Sequence, residues 1–329
     1  MVYLERDELV FRFPEVHEAA VLRVNFQRTL RIPDDNREYP LPPGLGRFPL
    51  KHVDDYAERA PGSWKWHGGV FLPMYQAEAL WIAFESEEYR FAVKVAAGKV
   101  NAVTGEGWSQ ELKKGRQDYV VAPEQPWLDG FSVGKGVIRQ FVAMPLGAGY
   151  TAEEQLTGAG EHGGLQICVY PMKAKVFERW RRPARVYSGL DLVSCSMPSA
   201  KEMGLAPGGV MRQEIYDDPH GIGAWETGVS GRCFVHLANS LVYREMTGEA
   251  PPSTPATAQE YTEAGLPWFD YYGGDLGVLE GSKALAALDS VAAMGWKKGA
   301  GPLGDNGAVE VKKVIGLGKG GGEVREGEF

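Results

Sequence analysis

The fold class is decided by residues 131–144, FSVGKGVIRQFVAM. Two β-type arms flank Gly134-Lys135-Gly136, and glycines at such positions allow the chain to reverse in a tight turn. The second arm is apolar on both faces except at Arg139 and Gln140, which is typical of a covered strand. The stretch therefore predicts an antiparallel hairpin inside a sheet.

The rest of the first 200 residues carries β-type patterns in shorter runs, bounded by charged and turn residues. These runs cover residues 9–13, 20–26, 91–95 and 100–102. The last two runs, with Ala97 and Gly98 between them, predict a second hairpin. Helical spacing and capping residues follow beyond about residue 200, at 232–247, 257–264 and 282–294. We therefore predict an α+β protein, with a β-rich N-terminal body and helices towards the C-terminus. The body is expected to be a sandwich or a set of open antiparallel sheets.

The predicted parts of the chain are three. Residues 1–200 form the β-rich body, and 201–294 form a helical or mixed part packed on it. Residues 201–209 contain three glycines and a proline, so they mark the best internal boundary. Residues 295–329 contain 11 glycines among 35 residues, which predicts a flexible tail.

Composition and charge exclude several classes of protein. The chain has 329 residues, of which 44% are hydrophobic, and 35 basic against 43 acidic residues give a net charge of −8. An acidic chain disfavours nucleic acid as a partner. Apolar runs are far shorter than a membrane helix requires, and three cysteines without a CxxC pair fit a reducing compartment. We expect a soluble cytoplasmic protein with no membrane partner, no cofactor and no metal.

The sharpest catalytic candidate is Cys233 with His236. If Ser230 caps a helix that begins at Arg232, then Cys233 lies in its first turn, where the helix dipole favours a thiolate. His236 follows one turn later on the same face and is placed to act as the base. The alternative is a buried cysteine beside a structural histidine.

A basic face is predicted around residue 177. Residues 165–181 show period-two alternation that changes phase at Pro171, as at a bulge or edge kink. A continuing strand places Lys173, Lys175, Arg179 and Arg181 on one face. An acidic protein surface or an anionic ligand is the expected partner. The alternative is a solvated face whose lysines prevent edge-to-edge pairing.

Arg139 needs a partner if its strand is covered, because an unpaired buried charge costs several kcal/mol. Asp129 lies at the other end of the hairpin and is the predicted partner. The pair is either structural or the floor of a polar pocket beneath Trp127.

Other histidines and carboxylates carry weaker signals. His67 and His162 each precede two glycines, but their spacing matches no metal motif. An acidic loop has oxygen ligands suited to a hard cation, yet its spacing matches no EF-hand. Its members are Glu214, Asp217, Asp218, His220 and Glu226.

Four sequence strings resemble a family of uncharacterised bacterial and fungal proteins. The resemblance spans most of residues 20–275 and implies neither an activity nor catalytic roles. The strings are Gln125–Gly130, Arg139–Gly147, Arg232–His236 and Gly265–Asp270.

The first functional hypothesis is a binding or assembly protein that uses the basic face, with homo-oligomer formation as a further expectation. Its proposed ligand-contact residues are Lys173, Lys175, Arg179, Arg181, Trp127, Asp129 and Arg139. The alternative is an enzyme of acyl transfer or hydrolysis that uses Cys233 and His236. A metal-assisted hydrolase built on the acidic loop is the third hypothesis.

Overall fold

A computed structural model gives the fold. It describes residues 1–180, 202–251, 254–271, 273, 276–301, 303–304, 306–307 and 309–317. Arg181 and the remaining end of the predicted body lie outside the described residues, as do residues 302, 305, 308 and 318–329 of the predicted tail.

Strands dominate the described chain. The first strands are β1 (Val2–Glu5), β2 (Glu8–Arg12), β3 (Val21–Thr29), β4 (Glu38–Tyr39), β5 (Gly44–Arg47), β6 (Lys51–His52), β7 (Val70–Met74), β8 (Ala79–Glu85), β9 (Phe91–Ala97) and β10 (Val100–Asn101). They are followed by β11 (Val120–Ala122), β12 (Trp127–Leu128), β13 (Gly130–Gly134), β14 (Val137–Pro145), β15 (Leu165–Pro171), β16 (Glu202–Arg212), β17 (Gly231–Asn239), β18 (Trp268–Tyr271) and β19 (Val314–Leu317).

Helices are short and lie mostly in the later part of the chain. They are α1 (Gly62–His67), α2 (Ala152–Thr157), α3 (Ala174–Trp180), α4 (Ser240–Thr247), α5 (Ala258–Glu263), α6 (Lys283–Ala286) and α7 (Val291–Lys297). The chain is thus an α+β protein, as the sequence predicts. None of the helices within the described ranges combines the length and the apolar character needed to cross a membrane.

One large sheet holds most strands. Within the described residues it contains 17 strands, and a continuous hydrogen-bonded path runs β9–β15–β17–β16–β14–β8–β3–β2–β1. Most pairs are antiparallel, but β17 pairs with β7 and β16 with β4 in parallel. The sheet is therefore largely antiparallel, as the sequence predicts, and it contains two parallel pairs.

The two predicted hairpins are confirmed. Strands β13 and β14 pair antiparallel, with Phe131 opposite Arg139, and β14 is covered by β16 along its other edge. Strands β9 and β10 pair across Gly98, whose φ is +55°. Glycine adopts this left-handed conformation without the steric penalty of other residues, so the turn follows directly from its position.

The structure resolves several elements beyond residue 200. Residues 202–209 lie in β16, which pairs with both β14 and β17. The predicted helix at 282–294 is two helices, α6 and α7, and Ser290 caps the second of them. Part of the predicted tail forms β19, which pairs in parallel with β18. The division into three parts stays a prediction.

Candidate functional site

Strand β17 is the element that organises the site. Its side chains alternate between faces, so Arg232, Phe234 and His236 lie on one face. Arg232 is exposed, Phe234 is half-buried and His236 is buried. The face therefore runs from solvent into the interior within one strand.

Two His-Gly-Gly triplets converge on this face. His67-Gly68-Gly69 leads into β7 and His162-Gly163-Gly164 leads into β15. The first residues of both strands, Val70 and Leu165, pair with the same residue of β17, Val235. The two histidines therefore lie at the same level along β17, one on each side of this strand. Their ring centroids are 5.3 Å apart.

The glycines make this approach possible. Gly69 has φ +85°, and a Cβ atom there would lie 2.2 Å from the carbonyl oxygen of Phe234. Gly164 has φ +56°, and its Cβ would lie 2.5 Å from the carbonyl oxygen of Val235. Both positions need a left-handed backbone and a close contact with β17, so only glycine fits without strain.

Aromatic stacking fixes the rings in place. His67 stacks on Phe234 with centroids 4.5 Å apart, and Trp64 stacks on His236 at 4.7 Å. The guanidinium of Arg232 lies 5.4 Å from the centroid of the Phe234 ring. Such stacking restrains the rings, since aromatic pairs prefer defined geometries.

A buried carboxylate orients His162. Nδ1 of His162 lies 3.1 Å from Oε1 of Glu153, and the side chain of Glu153 is only 3% exposed. The second carboxylate oxygen accepts backbone N–H groups of His162 and Gly163, at 3.3 and 2.8 Å. These bonds direct Nδ1 towards the carboxylate and leave Nε2 as the remaining nitrogen.

His67 is held mainly in its neutral form. Burial lowers the pKa of His67, and the nearby charges of His162, Arg232 and Lys99 lower it further. The backbone of Ser63 opposes the shift. His67 therefore lies in a partly desolvated environment that also contains positive charges. We call the cluster of His67, His162, Glu153, Arg232 and Phe234 the histidine site.

The predicted helix that begins at Arg232 is wrong. Residues 231–239 form β17, and the helix begins at Ser240, where the Asn239 side chain caps it. Cys233 therefore lies on a strand rather than at a helix N-terminus, and on the face opposite His236. The strand thus does not bring these two side chains together as a nucleophile and its base.

The environments of Cys233 and His236 agree with their placement on opposite faces of β17. Cys233 is 7% exposed, and burial raises the pKa of its thiol to about 12. Burial lowers the pKa of His236 to about 4, and its Nε2 lies 3.0 Å from the Gly68 carbonyl oxygen. A protonated thiol and an anchored neutral imidazole are structural features here.

The predicted Asp129–Arg139 ion pair is also wrong. Arg139 instead lies 3.6 Å from Oδ1 of Asp34 and donates to the Gly208 carbonyl at 3.1 Å. Asp129 accepts a hydrogen bond from Nε2 of Gln213 at 2.5 Å. Burial raises the pKa of Asp129 to about 7, because no cation offsets the cost of its charge.

Trp127 is half-buried within a group of aromatic rings. Its ring centroid lies 5.9 Å from that of Trp81 and 4.9 Å from that of Tyr271. It therefore does not cover a pocket built by Asp129 and Arg139, and its packing is that of a core side chain.

The predicted basic strand is wrong beyond Pro171, because residues 174–180 form α3. Phe177 is fully buried in this helix and packs against Tyr89 and His17, at 4.3 and 5.1 Å between centroids. Lys173 donates to the Gly223 carbonyl at 2.9 Å, so it is not free to contact a partner.

Lys175 and Arg179 remain exposed on α3. A separation of four residues places them on the same face of a helix. They are the part of the predicted basic surface that the described structure retains.

The acidic loop is held by hydrogen bonds to aromatic side chains. Oδ2 of Asp218 accepts from the Tyr119 hydroxyl at 2.7 Å and from Nε1 of Trp225 at 2.8 Å. Among the described residues, no group of three or more histidine, cysteine, aspartate or glutamate side chains is arranged to hold a metal ion.

His220 belongs to a second buried polar centre. Its Nε2 lies 3.7 Å from Oε1 of Glu124, which also contacts Nε of Arg90 at 3.0 Å. Trp180 and Trp225 pack edge-on against the His220 ring, and the side chain is 4% exposed. The two tryptophans enclose this centre, so it offers less access than the histidine site.

A surface groove of about 570 Å³ lies elsewhere on the sheet. Glu8 at its floor pairs with Arg47 at 2.8 Å and with Arg23 at 3.3 Å. Its charges thus bind mainly to one another, which makes the groove an ion-pair network. Its lining residues are Glu5, Arg6, Glu8, Arg23, Arg47 and Glu85.

Sequence reasoning noted four of the five members of the histidine site, but neither Glu153 nor the convergence of the group. His67 and His162 were noted before glycine pairs without a predicted role, and Arg232 and Phe234 lie in a string that the sequence singled out. The repeated His-Gly-Gly triplet, each time followed by an apolar β-type run, is the signal that could have indicated the site.

No family model, curated protein or solved structure matches this chain. The geometry of the chain itself is therefore the basis for a functional proposal.

Proposed function

We propose that the protein binds a small anionic ligand at the histidine site. The observation that carries the proposal is the convergence of His67 and His162 over Phe234, within the field of Arg232 and Lys99. Arginine is well suited to carboxylates and phosphates, because its planar fork donates two parallel hydrogen bonds. The half-buried ring of Phe234 supplies an apolar floor beside these donors.

The distribution of charge around His67 supports an anionic ligand. The chain as a whole carries a net charge of −8, yet Arg232 and Lys99 lie near His67, and their charges add to the lowering of its pKa that burial mainly causes. Lys99 is 49% exposed and lies 3.6 Å from Glu161, an exposed pair of the kind that contributes little stability. An anionic ligand can therefore displace this contact at small cost.

Calorimetric titration with pyrophosphate, and separately with inorganic phosphate, tests the proposal. We expect saturable binding to the wild-type protein that weakens as salt is added, since the attraction is electrostatic. Arg232→Gln removes one charge-assisted contact at an exposed position and is expected to weaken binding about tenfold.

Lys135→Gln is the matched control, because it removes one exposed positive charge away from both the histidine site and α3. Equal loss of affinity in both variants indicates nonspecific attraction and contradicts the proposal. Absence of heat from either anion in the wild-type protein contradicts it as well.

A second contact surface is favoured by Lys175 and Arg179. Both are exposed on one face of α3, and the described residues include no carboxylate paired with either. We propose this pair as a docking point for an acidic protein surface, in a binding or assembly role. Reversal of both charges to glutamate is expected to abolish capture of such a partner in a pull-down, and unchanged capture eliminates the surface.

We also propose that the protein is soluble and cytoplasmic. Cys168 and Cys233 are both buried and free, which suits a reducing compartment. Cell fractionation of the native chain tests this location, and recovery with an oxidising compartment contradicts it.

A further inference from the structure

We propose that the histidine site hydrolyses small phosphodiesters, with His67 as general base and His162 as general acid. This inference rests on the proposed anion binding and adds a reaction to it.

The geometry of the two rings is the first support. Nδ1 of His162 lies 3.1 Å from Oε1 of the Glu153 carboxylate, which leaves Nε2 for a ligand. The His67 ring stacks on Phe234, and its centroid lies 5.3 Å from that of His162. Anchoring of one nitrogen while the other faces the reaction is how histidine serves in acid–base catalysis.

The different surroundings of the two rings are the second support. Burial, together with nearby positive charges, lowers the pKa of His67, which favours its neutral form and leaves a lone pair to accept a proton. His162 instead lies against the Glu153 carboxylate, which is itself held by two backbone N–H groups. We therefore assign the role of base to His67 and the role of acid to the ring beside the carboxylate.

The chemistry of the ligand follows from having two proton-transfer groups. Hydrolysis of a phosphodiester needs a base for the attacking water and an acid for a poor leaving group. Phosphoryl transfer from a phosphomonoester passes through a loose transition state, so it depends less on a general base. Arg232 and Lys99 supply positive charge for the anionic phosphate of such an ester, whereas the acidic chain disfavours long nucleic acids.

The reaction is balanced without a metal or a redox partner. His67 removes a proton from water as the water oxygen forms a bond to phosphorus. The bond between phosphorus and the leaving oxygen breaks, and the imidazolium of His162 gives that oxygen its proton. The products are a phosphomonoester and an alcohol, and exchange of one proton with solvent returns both rings to their starting states.

Hydrolysis of bis(p-nitrophenyl) phosphate by the purified full chain is the first test. We expect turnover with a bell-shaped pH profile, because one histidine must be neutral and the other charged. His67→Gln is expected to lower kcat about 100-fold, in line with the usual size of general base catalysis. No release of nitrophenol above the buffer rate overturns the inference.

A change of leaving group distinguishes a role of His162 as general acid from a purely structural role. His162→Gln is expected to lower the rate more for methyl phenyl phosphate than for methyl p-nitrophenyl phosphate, since p-nitrophenolate needs less protonation. An equal loss for both esters contradicts the role of His162 as the acid.

His17→Asn is the matched control. His17 also contacts a glutamate, Glu178, at 3.0 Å, but it lies outside the histidine site. Its loss is expected to leave turnover unchanged. If a histidine variant of the site fails to fold, Arg232→Gln replaces it, because that side chain is exposed.

The two proposals fail separately. Pyrophosphate binding without turnover of any diester overturns the hydrolase and retains the binding protein. Absence of pyrophosphate binding and of turnover overturns both.

Discussion

The rings of His67 and His162 lie 5.3 Å apart, and each stands before a pair of glycines that leads into a strand beside β17. This relationship depends on register rather than on proximity in sequence. The strands that follow both begin opposite Val235, so a shift of either strand by one residue would separate the rings.

The close approach of Gly69 to β17 predicts a specific loss of stability. Gly69→Ala places a Cβ atom against the Phe234 carbonyl oxygen at a residue with φ +85°. We expect a loss of about 2–4 kcal/mol in the free energy of unfolding, measured by urea denaturation.

Gly248→Ala is the comparison for this prediction. Gly248 also has a positive φ, +77°, but no atom lies within 4 Å of the added Cβ. Its expected cost is about 1 kcal/mol, from the left-handed backbone alone. Equal losses at the two positions contradict the packing argument.

His236 predicts a loss of stability in acid. Its pKa is lowered from 6.5 to about 4, chiefly by burial, so the unfolded chain binds the proton more readily than the folded one. The stabilising contribution is complete above about pH 6.5 and is lost as the pH falls towards 4. Between pH 7.5 and 5 this residue alone is expected to cost about 2 kcal/mol.

The variant His236→Phe isolates this contribution, because it keeps an aromatic ring beside Trp64 and removes the titrating group. Its free energy of unfolding, measured in urea at both pH values, should fall less than that of the wild type. A fall of the same size shows that other groups cause the acid sensitivity.

Asp129 is expected to give the opposite dependence of stability on pH. Burial raises its pKa from 3.8 to about 7, so the folded state holds the proton when the unfolded chain has lost it. Its favourable contribution is complete below pH 4 and is lost as the pH rises through 7. Between pH 5 and 8 the wild type is expected to lose about 2–3 kcal/mol through this residue.

Asp129→Asn removes this dependence and keeps an oxygen that accepts from Gln213. We expect the variant to gain stability relative to the wild type at pH 8 and to differ less at pH 5, by thermal or urea unfolding. A constant difference between the two proteins across this range is the contrary result.

Lys94 and Asp118 form a buried ion pair that predicts a large cost on disruption. Their charged atoms are 2.7 Å apart, and the side chains are 0% and 3% exposed. Lys94→Met leaves the Asp118 carboxylate without its partner, at an expected cost of about 3–5 kcal/mol in the free energy of unfolding.

Lys135→Met is the surface comparison, since Lys135 and Glu280 are 62% and 80% exposed at 3.2 Å. Its expected cost is below about 1 kcal/mol. The double change Lys94→Met and Asp118→Leu is expected to recover most of the loss, because both charges are then absent. A cost for Lys94→Met as small as that of Lys135→Met contradicts the burial of the pair.

The local part of the fold could be predicted from the sequence. The hairpins at 131–144 and 91–101 depend on glycine turns and neighbouring β-type runs, which are adjacent in the chain. The capping box of α5 was likewise predictable, because its two partners, Thr257 and Glu260, are only three positions apart in the sequence.

Two local errors arose from patterns that suit more than one element. Residues 231–247 contain both period-two and helical spacing, and the cap is Asn239 instead of Ser230. At 173–180 the adjacent apolar residues Val176 and Phe177 break the alternation of a strand, and burial of Phe177 against Tyr89 favours a helix.

The partners of charged and polar groups could not be predicted, because they come from distant parts of the chain. Arg139 contacts Asp34 instead of Asp129, and Asp129 contacts Gln213. The histidine site has the same origin, since it requires the register of three strands that are far apart in sequence.

Histidine ring NMR during titration with inorganic phosphate at constant ionic strength tests anion binding most directly. An anion beside His67 stabilises its protonated form, so by linkage phosphate should raise the pKa of His67 and shift the His162 signals. The ring signals of His17 should not respond. A His67 titration that is independent of phosphate, or equal responses of His67 and His17, contradicts the account.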